Sequence, residues 1–266
     1  MSALIVKGQQ TGRDIATVTP ESAGWRHVGF AAKRLARGER FALDTGNAEL
    51  CVVVLTGIVT VSTPEQRWRE IGGRRSVFES RSPYAVYLPP HQAVAIEAHG
   101  NAEVALCTAP ATGRHAARLI EPASMARSVR GSGTNTRYVC DILPQSEAAE
   151  SLLVVEVVTP AGHASSYPPH KHDADAIPEE SFLEETYYHR IDPPQGFAFQ
   201  RVYTDARDID AAYAVENHDV VMVPRGYHPV VAPHGYNSYY LNVMAGPKRV
   251  WHFRNDPAHE WMLTNP

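Results

Sequence analysis

Short apolar runs separated by turn residues dominate the chain, and they recur too closely for a helical fold. LCVVVLTGIVTVS (50–62), AVYLPP (85–90), AVAIEA (93–98), AEVALCTA (102–109), SLLVVEVVTP (151–160), GFAFQRVYT (196–204) and DVVMVPRG (219–226) are rich in Val, Ile, Tyr and Phe and are bounded by turn residues. Such runs predict β-strands, and their spacing predicts antiparallel barrels or sandwiches rather than βαβ units. Helical pattern is confined to a turn or two at RHAARLI (114–120) and EAAES (147–151), and to a C-terminal turn capped by Asp256 with Pro257 at its first position. The stretch EPASMARSVRGSGTNTR (121–137) has no sustained apolar period and reads as a connector or exposed loop. It divides the chain into an N-terminal β-domain, 1–125, and a C-terminal one, 126–266. The two halves echo each other: ELCVVVLTG (49–57) resembles LEETYYHR (183–190), and VYLPPHQAVAI (86–96) resembles VMVPRGYHPVV (221–231). A duplicated β-barrel explains both echoes.

Composition narrows the function classes. The 266 residues are 44% apolar, enough for packed cores, and 25 Lys+Arg stand against 29 Asp+Glu for a formal charge of −4. That balance argues against a nucleic-acid or anionic-membrane partner. No stretch approaches the roughly 20 apolar residues of a membrane span, and the N-terminus MSALIVKGQQTGRD lacks the apolar core of a signal peptide. Cys51, Cys107 and Cys140 are odd in number and widely spaced, which signals neither a disulfide framework nor a thiolate zinc site. A cytoplasmic protein is expected.

Histidine carries the chemical signal: 13 are present, nine of them at or after position 163. In SSYPPHKHDADAIPEESFLEETYYHR (165–190), His170 and His172 lie two apart, and on a strand such residues share a face. A following strand offers Glu185, Tyr187 and His189 on one face and Glu184, Thr186 and Tyr188 on the other, and alternation alone leaves open which face points inward. VVMVPRGYHPVVAPHGYN (220–237) delivers His228 after a proline-glycine turn, with His234 as a competitor. Imidazoles and one carboxylate without thiolates suit a divalent Zn, Mn, Fe or Ni centre.

This order resembles the cupin superfamily, whose first motif carries HxH and Glu and whose second carries PxG and His. Two departures stand out: the loop from His172 to Glu185 is long, with the turn glycine displaced to Gly196, and His228 follows Gly226 by only two positions. At family level, SSYPPHKHD, EETYYHRIDPPQGFAFQRVYT, ENHDVVMVPRGYHPVVAPHGYNSYYLNVMAG and WHFRNDPAHEW resemble the 5-deoxy-glucuronate isomerases of myo-inositol catabolism. The resemblance covers most of residues 150–263. It implies an all-β bicupin that interconverts 5-deoxy-D-glucuronate and 2-deoxy-5-keto-D-gluconate. It further implies a divalent cation, zinc ahead of manganese or iron, held by His170, His172, Glu185 and His228. Glu49 and His91 fall where ligands of an N-terminal site would be, but no HxH precedes Glu49, so that half is expected to be structural.

Aldose–ketose isomerisation moves a proton from C2 to C1. Metal-assisted enediolate chemistry needs a general base, for which Glu184, Tyr187, His189 and His234 are candidates. The substrate's carboxylate calls for a guanidinium or ammonium, with Arg225 first and Arg190, Arg201 and Lys171 as further candidates. Tyr227, Tyr236, Tyr239, Tyr240, Trp251 and Phe253 could roof a sugar pocket, and Asn237 and Asn242 could bond hydroxyls. Rival readings are a cupin dioxygenase, a non-catalytic sugar-acid-binding barrel, and an isomerase of another deoxy-uronate. By analogy with other paired barrels, association of copies through edge strands is expected.

Overall fold

The long apolar runs are buried on both faces. In Ala48–Thr56, Leu50, Val52 and Val54 enter one apolar core while Cys51, Val53 and Leu55 enter another, which is why the run shows no polar alternation. It ends at Gly57, whose φ of 80° and close approach to the Asn101 carbonyl leave no room for a Cβ. The computed structural model describes residues 4–264.

Antiparallel strands build two barrels. A six-stranded sheet, ordered Arg118–Ile120, Tyr84–Leu88, Ala48–Thr56, Ala102–Pro110, Gly29–Leu35 and Asp14–Val18, faces a four-stranded one of Arg40–Asp44, Ala93–Ala98, Ile58–Ser62 and Arg67–Gly72. In the C-terminal half, a seven-stranded sheet runs Ile5–Val6, Val220–Val223, Glu184–Asp192, Asn237–Ala245, Leu153–Thr159, Arg137–Leu143 and Ala126–Arg130. Its partner contains Ala164–Ser165, Val230–Val231, Phe197–Tyr203 and Asp210–Glu216. The two large sheets pack back to back. Phe30, Cys51, Tyr87 and Cys107 from one share a core with Tyr188, Tyr239, Leu241 and Val243 from the other. Each barrel has its own interior core besides.

Six strands of the two large sheets correspond in order. Leu50 pairs with Leu88 as Glu185 pairs with Val223, so the echoing segments occupy the same place in each sheet. Even the outermost strands correspond, but exchanged. Ile5–Val6 precedes the first barrel and pairs in the second, whereas Arg118–Ile120 precedes the second and pairs in the first.

Two of the three expected helical turns are absent. Arg118–Ile120 is a strand, and near Glu147–Ser151 only Glu147 N reaches a carbonyl one turn back, that of Pro144, while the amides of 150–152 are taken by a carboxylate. Glu49 accepts the amide N–H groups of Glu150, Ser151 and Leu152 at 2.9, 2.7 and 2.6 Å. The third forms: Pro257–Leu263 is a 3₁₀ segment whose cap, Asp256, accepts from Ala258 N. The supposed connector holds the strand Ala126–Arg130, hairpinned to Arg137–Leu143. No helix of the described residues is long and apolar enough to cross a membrane.

Candidate metal centre

The strand Glu184–Asp192 settles the facing question by its surroundings. Glu185, Tyr187 and His189 point into the C-terminal barrel, and Tyr188 packs between the halves. Glu184 points the other way and accepts from the amides of Arg26, His27 and Val28 at 2.8, 2.7 and 3.1 Å. His228 arrives from the neighbouring strand after Gly226, which has φ 94° and would place a Cβ 2.5 Å from the Tyr203 carbonyl oxygen. A turn this tight needs glycine there. His170–Lys171 pairs with Arg254–Asn255 and brings His172 in beside Glu185.

The geometry converges on one carboxylate oxygen. Nε2 of His172 lies 3.1 Å and Nε2 of His228 3.2 Å from Glu185 Oε2, and all three side chains are buried. Nδ1 of His172 donates to the Leu183 carbonyl at 3.0 Å, and Nδ1 of His228 to that of Gly226 at 2.8 Å. Each ring thereby turns its Nε2 toward the carboxylate. Burial lowers the pKa of both rings. For His172 the hydrogen bond and charge of Glu185 outweigh it and the net shift is upward, whereas burial pushes His228 down to about 4. His228 Nε2 is left buried with no hydrogen-bond partner among the described residues. One proton cannot serve both rings, but a cation accepting all three donors can. The donor set therefore fits a divalent ion.

His170 stands beside this cluster, with its ring 4.9 Å from that of His228 and 6.3 Å from that of His172. It lines a cavity of about 230 Å³ together with Glu185, Tyr187, Tyr240 and Asn242. Trp251 and Phe253 roof this space, Phe253 lying 4.7 Å from His170 between ring centres. The Tyr187 hydroxyl is 3.5 Å from Ser166 Oγ, and burial followed by the charge of Glu185 holds its pKa well above the usual value.

Most other residues singled out in the sequence lie elsewhere. His234 is exposed in the turn between Pro233 and Gly235. His189 is buried behind Tyr187, with Nε2 on Gln200 at 2.8 Å, and does not line the cavity. Arg225 pairs with Asp208 and Arg201 with Asp210, both at the exposed surface. Arg190 grips Glu103 across the two halves at 2.7 Å, and Lys171 points away toward Asp173, Glu180 and Asp205. Of the aromatic set, Tyr239 bonds Glu156 between the sheets, Tyr227 packs at a tilt against Tyr203 and Tyr236 packs against Phe197. Asn237 accepts from Ala161 N, away from the cavity.

In the N-terminal barrel, Leu50 occupies the place of Glu185 and Ala93 that of His228. Glu49 corresponds to Glu184, not to the ligand, and exposed His91 (φ 61°) sits at the position of Gly226. Sequence reasoning passed over Arg130 and Arg137, which line the cavity. Their only sequence signal is a pair of arginines bracketing the Gly-Ser loop of a polar segment.

The KduI/IolB family model matches residues 4–262. A 5-deoxy-glucuronate isomerase of Geobacillus kaustophilus (strain HTA426) is 52% identical over 99% of this chain and 96% of its own length. The crystal structure of an IolB-like protein from Salmonella typhimurium LT2 superposes with a TM-score of 0.97 at 46% identity, covering 98% of this chain and all of that one. Lactobacillus farciminis oxalate decarboxylase matches at TM-score 0.66 and 12% identity over 100% of this chain and 91% of its own. That last likeness is one of fold, the double cupin.

Proposed function

The chain belongs to the KduI/IolB family, and from that membership and its 52% identity to a 5-deoxy-glucuronate isomerase we propose that it is such an isomerase, with a single centre in the C-terminal barrel. His172, Glu185 and His228 would hold a divalent cation there, with His170 as fourth ligand. The observation that carries this reading is the approach of two Nε2 atoms to one buried carboxylate oxygen, each ring fixed by a backbone carbonyl. Zinc, manganese and iron all suit these ligands, zinc first.

When bound, such an ion supplies a Lewis acid for adjacent substrate oxygens and stabilises charge developing on them. The protein's own side chains position the substrate around it. Tyr187, the one base candidate that lines the cavity, is held neutral by burial and donates its hydroxyl hydrogen to a substrate oxygen. The Trp251 and Phe253 rings restrict water above the reacting carbons. Glu184 serves structure, so it takes no part in proton transfer. The cytoplasm is the compartment we propose, supported by three buried free thiols, with Cys51 directly opposite Cys107 on neighbouring strands.

Metal content by mass spectrometry after purification, followed by chelation and reconstitution, tests the centre. Chelation should abolish isomerisation of 5-deoxy-D-glucuronate, and one of the three ions should restore it. Activity that survives complete metal removal would refute the assignment. NMR of product formed in deuterated water, without oxygen, distinguishes proton transfer (label at C1) from hydride transfer (no label).

A further inference from the structure

The cavity's far wall carries a charge that the protein does not answer. Arg130 and Arg137 sit directly opposite each other on the hairpin of Ala126–Arg130 and Arg137–Leu143, and both line the cavity that holds His170 and Glu185. Like charges in facing positions of a β-pair destabilise it unless something lies between them. Arg130 reaches Asp141 only at 3.8 Å and lies 5.5 Å over the Trp251 ring. Among the described residues, Arg137 pairs with no carboxylate, and its one hydrogen-bonding nitrogen, Nη1, reaches the carbonyl and side-chain oxygens of Asn135 at 3.2 and 3.3 Å. Burial, with Arg130 as a like-charged neighbour, lowers its pKa. Elsewhere in this chain Arg74 pairs with Glu156, Arg190 with Glu103, Arg201 with Asp210 and Arg225 with Asp208, while Arg249 gives its nitrogens to four main-chain carbonyls. A half-buried guanidinium that leaves Nε and Nη2 unbonded, with a second guanidinium beside it on the same cavity wall, is built to receive a planar anion.

We infer that Arg137, supported by Arg130, is the seat of the substrate's carboxylate. The sugar acid then spans the cavity with its acid end on the hairpin and its carbonyl end at the His172–Glu185–His228 cluster. This rests on the isomerase reading above and deepens it. It orients the substrate and makes the acid group the feature by which a uronate is chosen over a neutral aldose.

The test compares wild type with R137Q, R137K and R130Q. For 5-deoxy-D-glucuronate, R137Q should raise KM by between ten- and a hundredfold, the usual span for a lost charge-assisted pair. The metal content should stay unchanged. Preference for the acid over 5-deoxy-D-glucose should collapse by a similar factor, R137K recovering part of it and R130Q losing less. Calorimetric titration with D-glucuronate, a probe that requires no turnover, should show binding to wild type that R137Q loses. If R137Q keeps both the preference and D-glucuronate binding, the seat is wrong. If wild type isomerises nothing yet binds D-glucuronate through Arg137, the seat stands and the reaction assignment falls.

Discussion

At the scale of single residues, the centre is a competition for too few protons. His172 and His228 both aim at Glu185 Oε2, so in the metal-free protein their lone pairs repel the carboxylate except where one proton intervenes. A cation should therefore stabilise the fold strongly: an ion at a hundred times its Kd adds about 2.7 kcal/mol. Melting curves with and without Zn²⁺ or Mn²⁺ should show a marked rise in Tm for wild type, and E185Q should show almost none. Buried His189 gives a second handle. Burial pushes its pKa to about 4 against 6.5 for a free histidine. Between those values the unfolded chain binds the extra proton, so the stabilisation is complete above pH 6.5 and is lost as the pH falls toward 4. It amounts to roughly 3 kcal/mol. Urea titrations at pH 7 and 4.5 should find a smaller acid loss in H189Q than in wild type, and equal losses would contradict a neutral buried ring. The sequence order of His172, Glu185 and His228 was legible because each sits on or beside a recognisable strand, whereas the HxH spacing did not bring His170 into that group of three. The choice of arginine was not legible: Arg190, Arg201 and Arg225 are claimed by Glu103, Asp210 and Asp208, acids 87, 9 and 17 positions away.

At the scale of elements, the neighbouring glutamates Glu184 and Glu185 divide structure from chemistry. Glu184 fixes the amides of 26–28 just before the strand Gly29–Leu35, and Glu49 fixes those of 150–152 just before Leu153–Thr159. Each barrel thus clamps the segment leading into a strand of the other with one carboxylate on three N–H groups, and the two clamps are related by the duplication. E184A would leave three amide groups without their acceptor, costing about 3 kcal/mol or more and lowering Tm by roughly 5–10 °C. E49A should cost a similar amount. Metal analysis separates the two roles: loss of the ion from E184A protein that is still folded and as stable as wild type would contradict a purely clamping role. The strand run LEETYYHR could not reveal this division because both of its faces are buried, one against the barrel interior and one against the other half. Period-two alternation identifies an inward face only where the other face meets water. The expected helical turn at 147–151 failed for the same nonlocal reason, its donors being drawn to Glu49 from a strand about 100 residues earlier.

At the scale of the whole molecule, the exchanged outer strands tie the fate of one barrel to the other. Ile5–Val6 covers the edge of Val220–Val223, whose far end leads through Pro224 and Gly226 to His228. Lys7 adds an ion pair to buried Asp219 at 2.7 Å, and Gly8 N donates to the same carboxylate at 3.1 Å. Residues 5–8 therefore brace the strand that leads to His228, more than 200 positions away. The apolar core shared by the two large sheets makes the coupling general, since neither half can open without exposing it. Two-state melting of the full chain should follow, with near- and far-ultraviolet circular dichroism coinciding. Removing residues 1–8 forfeits the arm's ladder bonds, its apolar contacts and the Asp219 ion pair. The expected cost is about 2–4 kcal/mol, and the metal should bind more weakly because the strand before His228 loses its neighbour. Calorimetric titration of the ion into truncated and full-length protein measures that second effect directly. Equal affinities with a lowered Tm would confine the arm to stability, whereas a joint loss would make the exchanged strand part of how the centre is held in shape.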